Sequence, residues 1–561
     1  MSYSIEKITQ VVSAERYGDT AASISFLLTD SRSLCFPEET LFFALHTDRN
    51  DGHHYIPELY RRGVRNFVVE NVPNNFSDLY KHANFLKVGN TLAAFQQLAT
   101  FHRKAFNIPI VGITGSNGKT MVKEWLSQLF SYDMNVTRSP KSYNSQIGVP
   151  LSLWLLNENS QIGLIEAGIS KVGEMQALHD IIMPTVGVLT SIGAAHQENF
   201  SSLKEKCNEK LLLFKGTQAL IYRIDDKIAA NCVAETCYDG ELLAWSEHDT
   251  TAAFYVERIE KSNTTSTIHY IWKHSTHGKF ILPFIDDASI SNCITCAVVA
   301  LYFGMQPEVL AQRMAKLEPV AMRLEVKEGQ HGCTLINDSY NSDINSLNIA
   351  LDFMNRRPDQ KHRERTLILS DIYQSGETEE QLYAEVAAMV KERGIKKFIG
   401  VGKALNRQKQ AFGSLKDKFF FENTADFIES NVFKTLHNEV ILLKGARVFD
   451  FDKLTELLVK KVHETVLEVN LNAVISNLNW YRSFLKPETK LVCMIKADAY
   501  GAGAVEIAKT LQEHRVDYLA VAVADEGATL RRNGITSNIM IMNPEMSSFK
   551  TLFDNKLEPE V

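Results

Sequence analysis

The sequence predicts a multi-domain α/β protein in which mostly parallel sheets are covered by helices. Three observations predict it. The chain has 561 residues, too many for one hydrophobic core, so several domains are expected. Short β-branched runs alternate with helical segments along most of its length, as they do where crossover helices join parallel strands. At "IPIVGITGSNGKTMVKEWLSQLF" a strand enters a glycine loop that opens directly into a helix.

The alternation divides the chain into four parts. Residues 1–105 carry short strand-like runs such as "TLFFAL" and "NFVVE" between turn residues. Residues 106–318 begin at the glycine loop and continue with the strands "IGLIEAG", "VGVLTSI" and "QALIYR". Residues 319–462 contain "TLINDS", "RTLILSD", "KKFIGVG" and "EVILLKG", with helical segments between them. Residues 463–561 start a further alternation with "LEVNL", "KLVCMI", "YLAVAV" and "NIMIM".

Composition narrows the function classes. An apolar fraction of 45% and a charged fraction of 23% are ordinary for a soluble globular protein. A formal net charge of −7 provides no basic footprint for nucleic acid. The start, "MSYSIEKITQVVSAERYG", does not read as a secretory signal. No apolar stretch approaches the roughly 18 residues that suggest a membrane span. Cys293 and Cys296 form a C-x-x-C inside "ISNCITCAVVALYF", which reads as a buried helix with core thiols rather than a metal or redox site. A cytoplasmic, reducing location is the expectation.

The glycine loop carries the sharpest chemistry. Gly115, Ser116, Asn117, Gly118, Lys119 and Thr120 lie between strand and helix in the spacing G-x-x-G-K-T. Glycines let backbone N–H groups turn inward around phosphate oxygens, at a helix N-terminus whose dipole favours anions. Lys119 would reach the β- and γ-phosphates of ATP, and Thr120 would bind Mg²⁺ through its hydroxyl.

This short loop resembles that of the Mur ligase family, and further matches follow in order. "YNSQIGVP" resembles the family's N-N-x-I-G-x-P segment, with Asn144 in a substrate-binding position and Ser145 in place of the second asparagine. "LIEAG" puts Glu166 at a strand end, where the family binds Mg²⁺, and "SIGAAHQENF" supplies His196 for a second metal ion. "EKLLLF" contains Lys210, matching the lysine that the family carbamylates; Lys206 and Glu209 are close, and Leu211 and Leu212 replace the usual small residue and acid. "SNCITCAVVA" offers Asn292 to adenine, and "AMRLEV" offers Arg323 to phosphates on domain closure. "INDSYNSDINSL" supplies Asp338 for the ribose, with Tyr340 and Asn341 nearby.

The resemblance implies a three-domain fold: a UDP-substrate domain, a central ATPase domain with a phosphate loop, and a Rossmann-like C-terminal domain. It implies that ATP phosphorylates a carboxylate and that an amine then attacks the acyl phosphate. "DSYN", "KGARVFDFDKL" with Lys444 and Arg447, and "TDSRSLCF" with Asp30, Ser31 and Arg32 resemble the branch that adds D-alanyl-D-alanine to UDP-N-acetylmuramoyl tripeptide. Another Mur-type or folylpolyglutamate-type ligase, or a scaffold without activity, are the alternatives.

The last segment poses a separate question. "KLVCMIKADAYGAGA" ends an apolar strand on Lys496, at the place where barrel enzymes carry functional groups. Apolar surroundings lower a lysine's pKa and favour Schiff-base chemistry. The run from "LEVNLNAVISNLNWYRSFL" to "YLAVAVADEGATLRRNGI" resembles the start of alanine racemase. That resemblance implies the first βα units of a TIM barrel, a covalent link from Lys496 to pyridoxal phosphate (PLP), a contact from Tyr500 to the cofactor phosphate, and room for dimerisation through the racemase part. The expectation is an N-terminal fragment of a ligase–racemase fusion, inactive as a racemase in these 561 residues.

Overall fold

The computed structural model describes the chain except residues 35, 48–49, 141, 194–198, 263, 321–323, 340–341, 357–362, 374–377, 461–466, 487 and 561, and the side chains of 47, 345, 356, 447 and 472. Four main sheets, each in its own stretch of sequence, carry the architecture.

The first sheet has five strands in the order Glu15–Tyr17, Asn84–Lys87, Asn66–Val69, Thr40–Phe43 and Phe26–Leu28. Only Glu15–Tyr17 runs antiparallel to its neighbour. The helix Thr91–Lys104 is capped by Asn90, whose side chain accepts from the Ala93 N–H. It leads into the second unit. Trp154 of that unit packs into the first unit's core beside Phe95 and Leu98.

The second sheet has nine strands. Its first strand in sequence, Ile110–Thr114, lies between Ile162–Glu166 and Val186–Leu189, and all three are parallel. The connections therefore diverge to opposite sides of Ile110–Thr114, which makes a crevice at the carboxyl ends of these strands. All five residues of Ile110–Thr114 are buried, as expected for a strand covered on both faces. The sheet ends in three strands not anticipated from the sequence, Phe254–Lys261, Ser266–Trp272 and Thr276–Leu282, which pair antiparallel. Burial along Ser266–Trp272 alternates over its first five residues, so one face is covered and the other meets solvent. The helix Asp287–Tyr302 buries Cys293 and Cys296 completely, as core thiols.

The third sheet has six strands, with Thr334–Asp338, Glu439–Lys444, Glu364–Ser370, Lys397–Val401 and Asp417–Phe421 parallel in that order. Glu325–Glu328 adds an antiparallel edge.

The fourth sheet has four parallel strands, Val492–Met494, Tyr518–Val521, Asn538–Ile541 and Glu558–Pro559. The expected strand "LEVNL" is absent. Residues 467–470 are irregular, and Leu471 opens the helix Leu471–Arg482. Asn470 caps that helix by accepting from the Ala473 N–H, and Leu467 is 69% exposed. Local capping wins where no neighbouring strand offers a ladder.

Gly187 sits in the middle of Val186–Leu189, and a methyl group added there would approach the Phe214 ring to 2.4 Å. Gly187→Ala is therefore expected to destabilise the central unit by about 1–3 kcal/mol through overpacking. Calorimetric melting of the variant should show its transition shifted down; an unchanged transition would contradict the packing described.

Candidate functional site

The crevice of the nine-stranded sheet is filled by the glycine loop. Gly115 has φ +146°, and a side chain there would collide with the Thr190 hydroxyl. Gly118 has φ +87°, and a methyl group would lie 2.4 Å from Asn292 Oδ1. Glycine is required at both places by conformation and by space. The contact also brings Asn292 against the loop. The loop is braced from behind. The Ser116 N–H donates to the Ser191 carbonyl at 2.6 Å, and the Ser116 hydroxyl exchanges hydrogen bonds with Gly193.

Helix Lys119–Phe130 begins at the loop, so its free N–H groups and positive dipole end face the crevice. Lys119 Nζ donates to the carbonyls of Gly115 (2.8 Å) and Ser116 (3.1 Å). Thr120 donates its hydroxyl to Glu166 Oε2 at 3.2 Å and shares a hydrogen bond with Ser142. Glu166 is fully buried at the end of Ile162–Glu166.

A buried carboxylate needs compensation, and Lys123 supplies it. Its amine is fully buried, 3.1 Å from Glu166 Oε1 and 2.9 Å from Glu124 Oε1, and donates to the Ser139 carbonyl. The sequence reading missed Lys123. It stands four residues after Lys119 and so one turn along the same helix face, which is the signal that could have found it.

The helix Leu203–Leu211 carries two more lysines toward the loop. Lys210 Nζ, buried, donates at 3.2 Å to the same Gly115 carbonyl that Lys119 uses. Burial, reinforced by the ammonium groups of Lys119 and Lys206, holds Lys210 well below the usual lysine range. Lys206 donates to the Gly193 carbonyl at 2.7 Å, and burial brings its pKa down to about 8.

The other expected residues fall in three places. Asn144 lies against Gly168, and its carbonyl accepts from the Gly168 N–H at 2.8 Å. In the third sheet, Asp338 and Lys444 are register partners on adjacent strands, and their side chains form a buried ion pair at 2.7 Å. Asp343 of the same unit acts electrostatically on Lys206, so this unit faces the loop. Asp30 caps the turn Ser31–Ser33 and pairs with Arg32 at 2.7 Å, and Arg62 donates to the Ser31 carbonyl, all on the first unit's surface. Arg447 begins the turn Arg447–Phe449. His196, Arg323, Tyr340 and Asn341 lie outside the described residues.

Lys496 and Tyr500 are remote from this crevice in sequence and belong to the fourth sheet. Lys496 follows Val492–Met494 and is exposed; Ala497 to Tyr500 have φ between +51° and +58°. This left-handed turn is held by Glu526, which accepts from the Ala497 and Ala522 N–H groups. Beside it is a cavity of about 340 Å³ lined by Ile495, Asp498, Val521 and Glu526 among others.

Fit to a divalent cation can be judged from the donors. Thr120 and Glu166 present a hydroxyl and a carboxylate together, which suits Mg²⁺ completed by phosphate oxygens. Among the described residues no group of three or more His, Cys, Asp or Glu side chains could hold a metal alone.

The depressed pKa of Lys210 has a measurable consequence. Between its folded value and the unfolded lysine value of about 10.4, the unfolded chain binds the extra proton, so this group makes stability rise with pH. In carbonate-free buffer, the stability of Lys210→Met relative to the native chain should therefore be highest near pH 7 and fall as pH climbs toward 10. A pH-independent difference in urea midpoints would show that the amine is charged in the fold.

Comparison with known proteins agrees with this geometry. Residues 113–300 match the Mur ligase middle domain, and residues 469–561 match the alanine racemase N-terminal domain. The UDP-N-acetylmuramoyl-tripeptide–D-alanyl-D-alanine ligase of Bacillus subtilis is 28% identical over 382 residues, covering 67% of this chain and 79% of its own length. The enzyme of the same name from Buchnera aphidicola of Acyrthosiphon pisum is 26% identical over 470 residues, 82% of this chain and 99% of its own. The crystal structure of MurF from Acinetobacter baumannii superposes with a TM-score of 0.69 at 19% identity, covering 82% of this chain and 99% of that one. MurF of Thermotoga maritima in complex with ADP gives 0.63 at 19% identity, over 77% and 96%. The chain thus carries a Mur ligase middle domain over residues 113–300 and an alanine racemase N-terminal domain over residues 469–561, in a chain whose fold is that of the MurF structures.

Proposed function

We propose that the protein ligates D-alanyl-D-alanine to UDP-N-acetylmuramoyl tripeptide at the expense of ATP. The observation that carries the reading is one cluster: the glycine loop, Lys119 and Lys210 on a shared carbonyl, and Thr120 beside the buried Glu166. The curated relatives of that name support the choice of substrates. No helix among the described residues is long and apolar enough to cross a membrane.

The chain's residues set up the reaction in steps. The loop N–H groups and the helix N-terminus bind the ATP phosphates. Lys119, now held by two loop carbonyls, turns to the β- and γ-phosphates and neutralises charge on the transferred phosphoryl group. Thr120 and Glu166 would hold Mg²⁺, which spreads that charge further. The tripeptide carboxylate takes the γ-phosphoryl group and ADP leaves. The dipeptide amine attacks the acyl carbon, and the tetrahedral adduct collapses to an amide with loss of phosphate. In this reading Asn292, against the loop, would orient the nucleotide, and Asp30, Ser31 and Arg32 would hold the UDP end. The Asp338–Lys444 pair would meet the nucleotide and the incoming substrate when the third unit closes.

Lys210 has a distinct role in this reading. A neutral buried amine can attack CO₂, lose a proton and become a carbamate, which would put an anion beside the phosphate loop. In the racemase-like module, the exposed amine of Lys496 and phenol of Tyr500 suit an aldehyde and a phosphate, as PLP offers, and PLP would supply the electron sink for proton removal from alanine. Exchange on both faces of that carbon needs a group on each face, and Lys496 serves one.

An assay with ATP, UDP-tripeptide and D-alanyl-D-alanine tests the reading. Lys119→Ala should lose roughly 10²–10³-fold in turnover. Lys210→Ala should lose ligation and regain part of it with an added short carboxylic acid. Native-like turnover in both variants would overturn the assignment.

A further inference from the structure

We propose that the alanine-racemase-like module is docked on the ligase through the face at the amino ends of its strands, with Arg515 keyed into the junction of the first two domains. Three turns of the module make the contact. Arg515 precedes the strand Tyr518–Val521, Arg482 ends the helix that leads to Val492–Met494, and Gly534 precedes Asn538–Ile541. All three therefore lie at one end of the parallel sheet.

Arg515 meets both domains at once. Its guanidinium donates to the Trp154 carbonyl of the central unit (3.0 Å) and to the Ser25 carbonyl of the first unit (3.4 Å). Trp154 Nε1 itself donates to Ser25 O at 2.9 Å, so the arginine joins a contact that already links the two domains. The same guanidinium lies over the Phe26 ring at 5.3 Å. Arg482 lies over Phe36 at 4.2 Å and donates to the Arg515 carbonyl at 3.0 Å. Phe26 and Phe36 stack on each other at 4.4 Å, forming one aromatic shelf beneath two cations. A third contact lies further along, where a Cβ built on Gly534 falls 3.5 Å from the Ser131 Cβ at the end of helix Lys119–Phe130.

The partner this surface fits is thus the chain's own domain junction. A guanidinium is costly to bury unless its N–H groups find acceptors. Here burial depresses its pKa while Glu39 opposes that shift, and carbonyls of two domains accept from it. Docking by the amino ends leaves the opposite end free. Lys496 and Tyr500 stand at the carboxyl ends and are exposed, so the reactive face of the module points away from the ligase. The appended module then braces the angle between the first two ligase domains.

Two measurements on the full chain test this. In Ser131→Cys/Gly534→Cys, the separation suits a disulfide, and mild oxidation should give the cross-linked peptide pair. The left-handed backbone of Gly534 strains docked and undocked forms alike, so it does not bias the result. In Arg515→Met, hydrogen exchange at residues 23–28 and 151–156 should speed by roughly tenfold or more, the loss of charged hydrogen bonds, while residues 110–114 stay unchanged. Absence of the cross-link, or unchanged exchange at the junction in Arg515→Met, overturns the proposal.

Discussion

A carboxylate with no access to water, Glu166, stands at the end of the central sheet, and the site is arranged around keeping it there. An isolated buried charge would take up a proton or unfold its surroundings. Lys123 and the Thr120 hydroxyl compensate Glu166 from one helix, and Ser139, just past the neighbouring strand, fixes its backbone by accepting from the Glu166 N–H. Glu124 in turn balances Lys123, and Arg138 balances Glu124. The phosphate loop cannot shift without breaking this chain, because the helix that begins at Gly118 carries Thr120, Lys123 and Glu124 together. Placement of Glu166, the proposed metal ligand, and placement of the glycine loop are therefore one structural fact.

The same loop gathers positive charge. Lys119, Lys206 and Lys210 influence one another electrostatically, and each amine donates to a backbone carbonyl of the loop or its brace. Like charges held close raise the free energy of the empty site, and an anion entering it relieves them. Conversion of the neutral Lys210 amine to a carbamate would relieve them in another way, by placing an anion beside Lys119 and Lys206. Burial does most to depress the Lys210 pKa and the neighbouring ammonium groups add to it, so the same enclosure that gathers the lysines favours the neutral amine that CO₂ requires.

How much of this was legible in the sequence depended on range. The glycine loop could be read because strand, turn and helix are contiguous and each glycine answers a local constraint. Glu166 could be read only by resemblance, since its neighbour in space, Ile110–Thr114, is about fifty residues away and the pairing is fixed by strand order. Lys123 was missed because the spacing in "KTMVKEW" that sets it one turn after Lys119 does not show the distant strand end that supplies its carboxylate. The antiparallel strands 254–282 were missed because only one face is buried, and the weak alternation was overlooked beside the apolar parallel strands. "LEVNL" misled because apolar alternation can form a strand only where a ladder partner exists, and Asn470 offered the backbone a helix cap instead. Arg515 had no local signature, since its acceptors lie 361 and 490 residues away.

One directional rule unites the modules. Parallel sheets place loops that can bind at the carboxyl ends of strands, and turns that can pack at the amino ends. Gly115, Glu166, Asp338, Lys444 and Lys496 all obey the first half, each at or just past the carboxyl end of its strand. Arg482, Arg515 and Gly534 obey the second. A barrel-type module joined to a ligase can therefore gain an interface without competing for the surface that carries its chemistry. The amino-end turns are free to evolve long, charged side chains because no ligand depends on them. The aromatic shelf of Phe26 and Phe36 gives such side chains a place to lie, and the carbonyls of Ser25 and Trp154 give them acceptors that no helix or strand ladder has claimed.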